Sequence, residues 1–328
     1  MNIYLAGDSI VQNYTKDEFI AGWGQYLSDF FLPKVSVYNF AKGGRSSRLF
    51  INEGRFDELY GQVTKGDYVF IEFCHNDDAS KEYKTMFNRL VELGEPDGNG
   101  RYPIIPGERV PKDYLPDEYL NALYADDTVA DKQAVIGSIY NMFAQYPSEQ
   151  YYPYSKNGDK GSFKWFLKQF IDSARKRKAF PVLVTAPART VFDNSGHIMD
   201  GPGLHGGNDF CYIRAVKQLA EETDTPLIDL FEYSKALFEN IGENKIHYIT
   251  SIKVGNNKGK WPKDYDTEVE KPETVSENTH FNKYGAFLMA KGLAECIKAS
   301  DNRQLDRLKS YLINDLSVVS ELKPAGLD

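Results

Sequence analysis

Ile3-Tyr4-Leu5-Ala6-Gly7-Asp8-Ser9-Ile10-Val11 is an apolar run that stops at a glycine and hands over to an acid and a hydroxyl. A short apolar stretch closed by a turn signal reads as a buried strand. Four more runs share this character, at 35–40, 68–74, 181–185 and 226–230. Between and after them, apolar residues recur at helical spacing over 23–31, 163–177, 210–223 and 284–298. Strands alternating with helices predict a three-layer α/β/α sandwich around a mainly five-stranded parallel sheet, flavodoxin-like in plan. Leu305, Leu308 and Leu312 predict a closing helix on the outside.

Two stretches interrupt the alternation. Residues 78–161 are rich in Tyr, Pro and Gly, and residues 241–275 in Lys, Gly and Asn. Long irregular segments of this kind are uncommon unless they serve function. Both are expected to be insertions near the carboxyl end of the sheet, although packing or oligomer contacts would account for the first equally well.

With 328 residues, 41% hydrophobic and 26% charged, the chain is long enough for a substantial core. A formal charge of −8 argues against nucleic acid as a general partner. No apolar stretch approaches the ~20 residues that span a bilayer, so no membrane partner is expected. Cys74, Cys211 and Cys296 are widely spaced, which fits a reducing compartment and no disulfide framework. No signal peptide is visible at the start, so a cytoplasmic location is expected, a secreted mature form being compatible with the same sequence. No His/Asp/Glu cluster has ligand spacing, so neither a metal nor another cofactor is expected. Nothing in the sequence sets an oligomeric state.

Ligands of parallel α/β sheets bind beyond the carboxyl ends of the strands. The first strand is followed there by Gly7-Asp8-Ser9, the second by Gly43-Gly44-Arg45-Ser46-Ser47, the third by His75-Asn76-Asp77 and the fourth by Ala188-Arg189. Hydroxyl, bare glycine backbone and carboxamide are what acyl transfer needs, a nucleophile plus donors for a developing oxyanion. The hydroxyl also needs a base. Of five histidines, His280 has the best context. Glu277 stands three residues before it, within reach in a loop to orient the ring, and Asn282 follows as a helix cap.

Gly7-Asp8-Ser9, Gly44, His75-Asn76-Asp77 and Thr279-His280 together resemble the four sequence blocks of the GDSL/SGNH hydrolases. The strings Ala41-Lys42-Gly43-Gly44-Arg45-Ser46-Ser47-Arg48, Glu53-Gly54-Arg55-Phe56-Asp57 and Thr279-His280-Phe281-Asn282 are similar to the rhamnogalacturonan acetylesterase group. The resemblance implies one SGNH-hydrolase domain over 1–328, carrying the two insertions. It implies Ser9 as nucleophile and His280 as base. It implies an oxyanion hole from the Ser9 and Gly44 amides and the Asn76 side chain. Glu277 stands where the family usually has Asp, and Cys74 where it usually has Gly.

The expected activity is a serine esterase removing O-acetyl groups from plant cell-wall polysaccharide or oligosaccharides, rhamnogalacturonan-like or xylan. Arg189 and Trp261 are candidate substrate contacts, through charge and through an aromatic face. Two other readings share the fold: a lipase, thioesterase or lysophospholipase, and a catalytically silent carbohydrate-binding protein.

Overall fold

A computed structural model describes residues 1–16, 18–78, 89–107, 161–201, 209–254 and 274–317, with a few isolated positions besides. The central sheet has five parallel strands. They are β1 (Asn2–Gly7), β2 (Ser36–Asn39), β3 (Tyr68–Glu72), β4 (Phe180–Val184) and β5 (Leu227–Ile228). Their order across the sheet is β2-β1-β3-β4-β5. Leu5 pairs with Asn39 on one side and with Phe70 on the other, so β1 is an interior strand and its exit lies at the point where the strand order reverses. In doubly wound sheets that point is the ligand crevice.

Seven helices are described: α1 (Ser47–Asn52), α2 (Arg55–Gln62), α3 (Phe163–Lys176), α4 (Cys211–Glu222), α5 (Leu230–Ile241), α6 (Lys283–Ala299) and the single turn α7 (Asp306–Lys309). Helices α1 to α4 form one layer, with α3 against β3 and β4. Helices α5 and α6 form the other, with α6 against the β1–β2 connection. Both faces of the sheet are therefore covered, and Val69, Phe70, Val182 and Leu183 are wholly buried. That explains why these strands read as continuous apolar runs rather than as alternating ones.

Residues 23–31 do not form the single helix their spacing suggests. They make two 3₁₀ turns, Trp23–Gln25 and Leu27–Phe30. Gly22 and Gly24 lie against the backbone of residues 11 and 12, where a Cβ would stand only 2.3–2.4 Å from backbone oxygens, so the chain is held by contact and not by helical propensity. The closing helix is also shorter than its leucines suggest. A 3₁₀ turn (Arg303–Leu305) runs into α7, and Leu312 then bridges to Phe31 as extended chain.

Parts of both insertions return to the body. In the first, Leu90, Val91, Leu93 and Tyr102 are buried, and the Tyr102 amide donates to Gln218 on α4 at 2.9 Å. In the second, a 3₁₀ turn (Glu243–Tyr248) leads into β6 (Thr250–Val254), which pairs antiparallel with β7 (Thr274–Phe281). This hairpin was not evident from the sequence. Trp261 lies outside the described residues.

Candidate active site

The turn after β1 is self-braced. The Asp8 carbonyl accepts from the Val11 and Gln12 amides, and its Oδ1 accepts from the Ile10 amide at 2.9 Å. Ser9, only 6% exposed, is thereby held at the lip of the sheet. The Tyr14 hydroxyl donates to its carbonyl at 3.0 Å.

His280 arrives from the other end of the chain. Its Nε2 is 2.8 Å from Ser9 Oγ, across 271 positions of sequence. Its Nδ1 lies 2.7 and 2.8 Å from the two Glu277 carboxylate oxygens. An ionised carboxylate only accepts, so Nδ1 carries the ring proton. That leaves Nε2 as the acceptor for the Ser9 hydroxyl. Glu277 and His280 do not sit in a loop, as the sequence suggests, but in β7. Residues three apart on a regular strand face opposite ways. Here Thr250 pairs with Phe281 and Ile252 with Ser276, so five steps of β7 oppose two of β6. The bulge lets both side chains meet.

The bulged segment is clamped from several sides. The Ala21 amide donates to the Phe281 carbonyl at 2.9 Å, and the Thr190 amide to the Asn278 carbonyl at 2.9 Å. Arg189 Nη1 donates to Thr279 Oγ1, and its Nη2 to the His75 carbonyl at 3.2 Å. Arg189 thus ties the exits of β3 and β4 to the residue before His280. Asn282 caps α6 by accepting from the Gly285 amide at 2.9 Å, while its Nδ2 donates to the Tyr248 carbonyl. His75 is held by a 3.0 Å contact of Nε2 with the Pro187 carbonyl and takes no part in the serine–imidazole line.

Gly43 and Gly44 pass beside the nucleophile's turn, and a methyl on Gly43 would stand 3.4 Å from Ser9 Cβ. The Gly43 amide donates to Gln12 Oε1. Gly44 turns at φ +80, a left-handed conformation that glycine adopts without strain. Neither its amide nor that of Ser9 donates to a partner among the described residues. Asn76 Nδ2 donates to Asp8 Oδ2 at 3.1 Å, which leaves its second N–H for another acceptor. Asp77 Oδ1 accepts from both the Ser47 amide and the Ser47 hydroxyl, fixing the start of α1 beneath the glycine turn.

Asp8, Glu72 and Asp77 are all fully buried below this surface. Burial pushes Glu72 well above the usual carboxylate range, reinforced by the Asp8 and Asp77 charges. Burial also takes Asp77 up to about 7 against its bonds from Ser47. Asp8 is raised by burial too, but the Ile10 amide, His280 and Asn76 favour its anion. Of the three, Glu72 is pushed hardest toward its neutral form, opposed only by the nearby Trp23 indole N–H. Cys74, buried beside these acids, has its thiol pushed well up and is chemically quiet.

One residue at the site escaped the sequence reading. Arg89 lies in the first insertion, with no motif in the sequence around it. Its Nη1 donates to Asn76 Oδ1 at 3.4 Å. A methyl on Gly44 would stand 3.0 Å from its Nη2. Among the described residues, no group of His, Cys, Asp and Glu is arranged to hold a metal ion.

A parallel sheet with a serine, an imidazole and a carboxylate joined at the switch point defines a serine hydrolase. Residues 3–92 match the family model of the GDSL-like lipase/acylhydrolases. The protein named “Probable rhamnogalacturonan acetylesterase YesY”, from Bacillus subtilis (strain 168), is 30% identical over 297 residues, 90% of this chain and 92% of that protein. The rhamnogalacturonan acetylesterase RhgT of the same organism is 29% identical over 303 residues, 91% of this chain and 90% of that one. The crystal structure of Bacillus subtilis YxiM has the same fold, with a TM-score of 0.53 and 20% identity over 90% of this chain and 56% of that longer one. The chain belongs to the GDSL-like lipase/acylhydrolase family, beside the rhamnogalacturonan acetylesterases, and is a serine carboxylic ester hydrolase.

Proposed function

We propose that the protein removes O-acetyl groups from a pectic, rhamnogalacturonan-like polysaccharide or its oligosaccharides through an acetyl-serine intermediate. The observation that carries this reading is the continuous line Ser9 Oγ–His280 Nε2, His280 Nδ1–Glu277. The substrate class rests on relatives over 90% of the chain that bear the rhamnogalacturonan acetylesterase name.

Ser9 Oγ attacks the acetyl carbonyl carbon as its proton passes to His280 Nε2. The carbonyl π pair moves onto oxygen, which receives the Ser9 and Gly44 amides and the second N–H of Asn76. Glu277 stabilises the imidazolium without taking its proton. Collapse breaks the bond to the sugar oxygen, and that oxygen leaves with the proton from Nε2. Water then adds to the acetyl-enzyme, giving its proton to Nε2, and acetate departs as Ser9 recovers its hydrogen.

The test is acetate release from acetylated rhamnogalacturonan, acetylated xylan and a series of 4-nitrophenyl esters of increasing chain length. Fast release from the pectic substrate, abolished in Ser9→Ala, is the expected result. Preference for long acyl chains would point to a lipase instead. Oligosaccharide binding with no labelling of Ser9 by a fluorophosphonate would point to a silent binding protein.

A further inference from the structure

Among the described residues, Arg89 is a cation without a hydrogen-bonded anion. Its guanidinium lies over Gly44 and beside Asn76, two of the three groups on which the oxyanion is proposed to rest. Its contact with the Asn76 oxygen is long, and its buried Nε has no partner among the described residues. A buried guanidinium with unspent donors is costly unless a ligand completes it.

The carboxylates around it are already committed. Glu53 accepts from Arg45 Nε at 2.8 Å on each oxygen and from Arg55 Nε at 2.9 Å. Asp8 spends one oxygen on the Ile10 amide and the other on Asn76. Arg45 adds a second positive charge, and together with burial it holds Arg89 below the usual arginine value. The guanidinium stays protonated all the same. Arg189 shares the buried, unpartnered Nε, but both of its terminal nitrogens are bonded within the protein, to the Thr279 hydroxyl and the His75 carbonyl.

We propose that Arg89 determines specificity by binding the carboxylate of an O-acetylated uronic acid while the acetyl carbonyl occupies the adjacent hole. This deepens the esterase reading above and rests on it. The acetyl group and the carboxylate of one uronic acid ring, or of neighbouring rings, are separated by a few bonds. An arginine at the rim of the hole can therefore hold one while the other reacts. Arginine suits a carboxylate because its fork makes two parallel charge-assisted bonds. Binding of this kind also positions the ester, so the gain is expected in kcat/KM, chiefly through KM.

The experiment compares three substrates: an O-acetylated methyl galacturonoside, the same compound with its carboxyl group methyl-esterified, and 4-nitrophenyl acetate. Acetate release is followed for wild type, Arg89→Gln and Arg89→Lys. In wild type, kcat/KM for the free acid should exceed that for its methyl ester by about 10-fold or more. Arg89→Gln should bring that ratio close to one, with a loss of about 10- to 100-fold on the free acid. Arg89→Lys should keep part of the preference, having the charge without the fork.

The wild-type comparison needs no mutant, so poor folding of a variant leaves the proposal exposed. A ratio near one in wild type overturns it, and so does a ratio that survives in Arg89→Gln. Absence of 4-nitrophenyl acetate turnover, or its persistence in Ser9→Ala, would instead overturn the esterase reading and this proposal with it.

Discussion

At the scale of single residues, the chemistry rests on a few polar atoms whose roles separate on mutation. Ser9→Ala removes the oxygen proposed to attack and should lower kcat by roughly 10⁴-fold or more. Asn76→Ala leaves the nucleophile in place and should cost about 10²–10³-fold, measured on the same acetyl ester. Glu277→Gln is the informative third variant. The carboxylate holds the Nδ1 proton in place, and an amide would admit the other tautomer, with Nε2 protonated and unable to accept from Ser9. A loss of about 10²–10⁴-fold is therefore expected in kcat, with KM little changed. Wild-type turnover in Glu277→Gln would mean that serine and imidazole act as a sufficient pair. That Ser9, Gly44, Asn76 and His280 meet in one place was legible in the sequence because each stands beside a short recognisable string at a strand end. Arg89 was not, because nothing local distinguishes it: its meaning comes from packing onto Gly44, 45 positions earlier in the chain.

At the scale of elements, the buried parallel strands were legible as apolar runs, and α3, α4 and α6 as amphipathic periods. The β6–β7 hairpin was not, because β7 reads Thr274-Val275-Ser276-Glu277-Asn278-Thr279-His280-Phe281, with no consistent alternation. The bulge that brings Glu277 to His280 breaks the very period by which a strand is recognised. What fixes the hairpin instead is its seat against the start of α6. A Cβ added at Gly285 would stand 2.0 Å from the Ile249 carbonyl oxygen, between the 3₁₀ turn before β6 and the helix that follows His280. Glycine to alanine inside a helix ordinarily stabilises by up to ~1 kcal/mol. Here the backbone must move, so Gly285→Ala should destabilise by about 1–3 kcal/mol in urea unfolding. It should also lower kcat, since the displaced turn carries β6 and β6 sets the register of His280. A more stable Gly285→Ala variant would refute this account of how the base is held.

At the scale of the whole molecule, the cost of placing a polar site at the centre of an apolar sheet falls on the acids beneath it. Asp8, Glu72 and Asp77 are withdrawn from water together, and stability should record this as a dependence on pH. Asp77 provides the cleanest case, with a native value pushed up to about 7 from an ordinary 3.8. Below that ordinary value both folded and unfolded chains hold the proton, and the group is neutral to stability. Between roughly 4 and 7 the unfolded chain has released its proton while the folded one retains it, so stability falls as pH rises. Above about 7 the full penalty, on the order of a few kcal/mol, is in place. Glu72 is shifted in the same direction and adds to the slope. Wild type should therefore lose stability to urea from this cluster between pH 5 and pH 8. Asp77→Asn keeps an oxygen able to accept both Ser47 donors but carries no charge. Its stability should fall less over that interval, and the two curves should converge toward pH 5. Parallel curves for the two proteins would show that Asp77 does not change its proton affinity on folding. The site would then lie in a better-solvated interior than its packing implies.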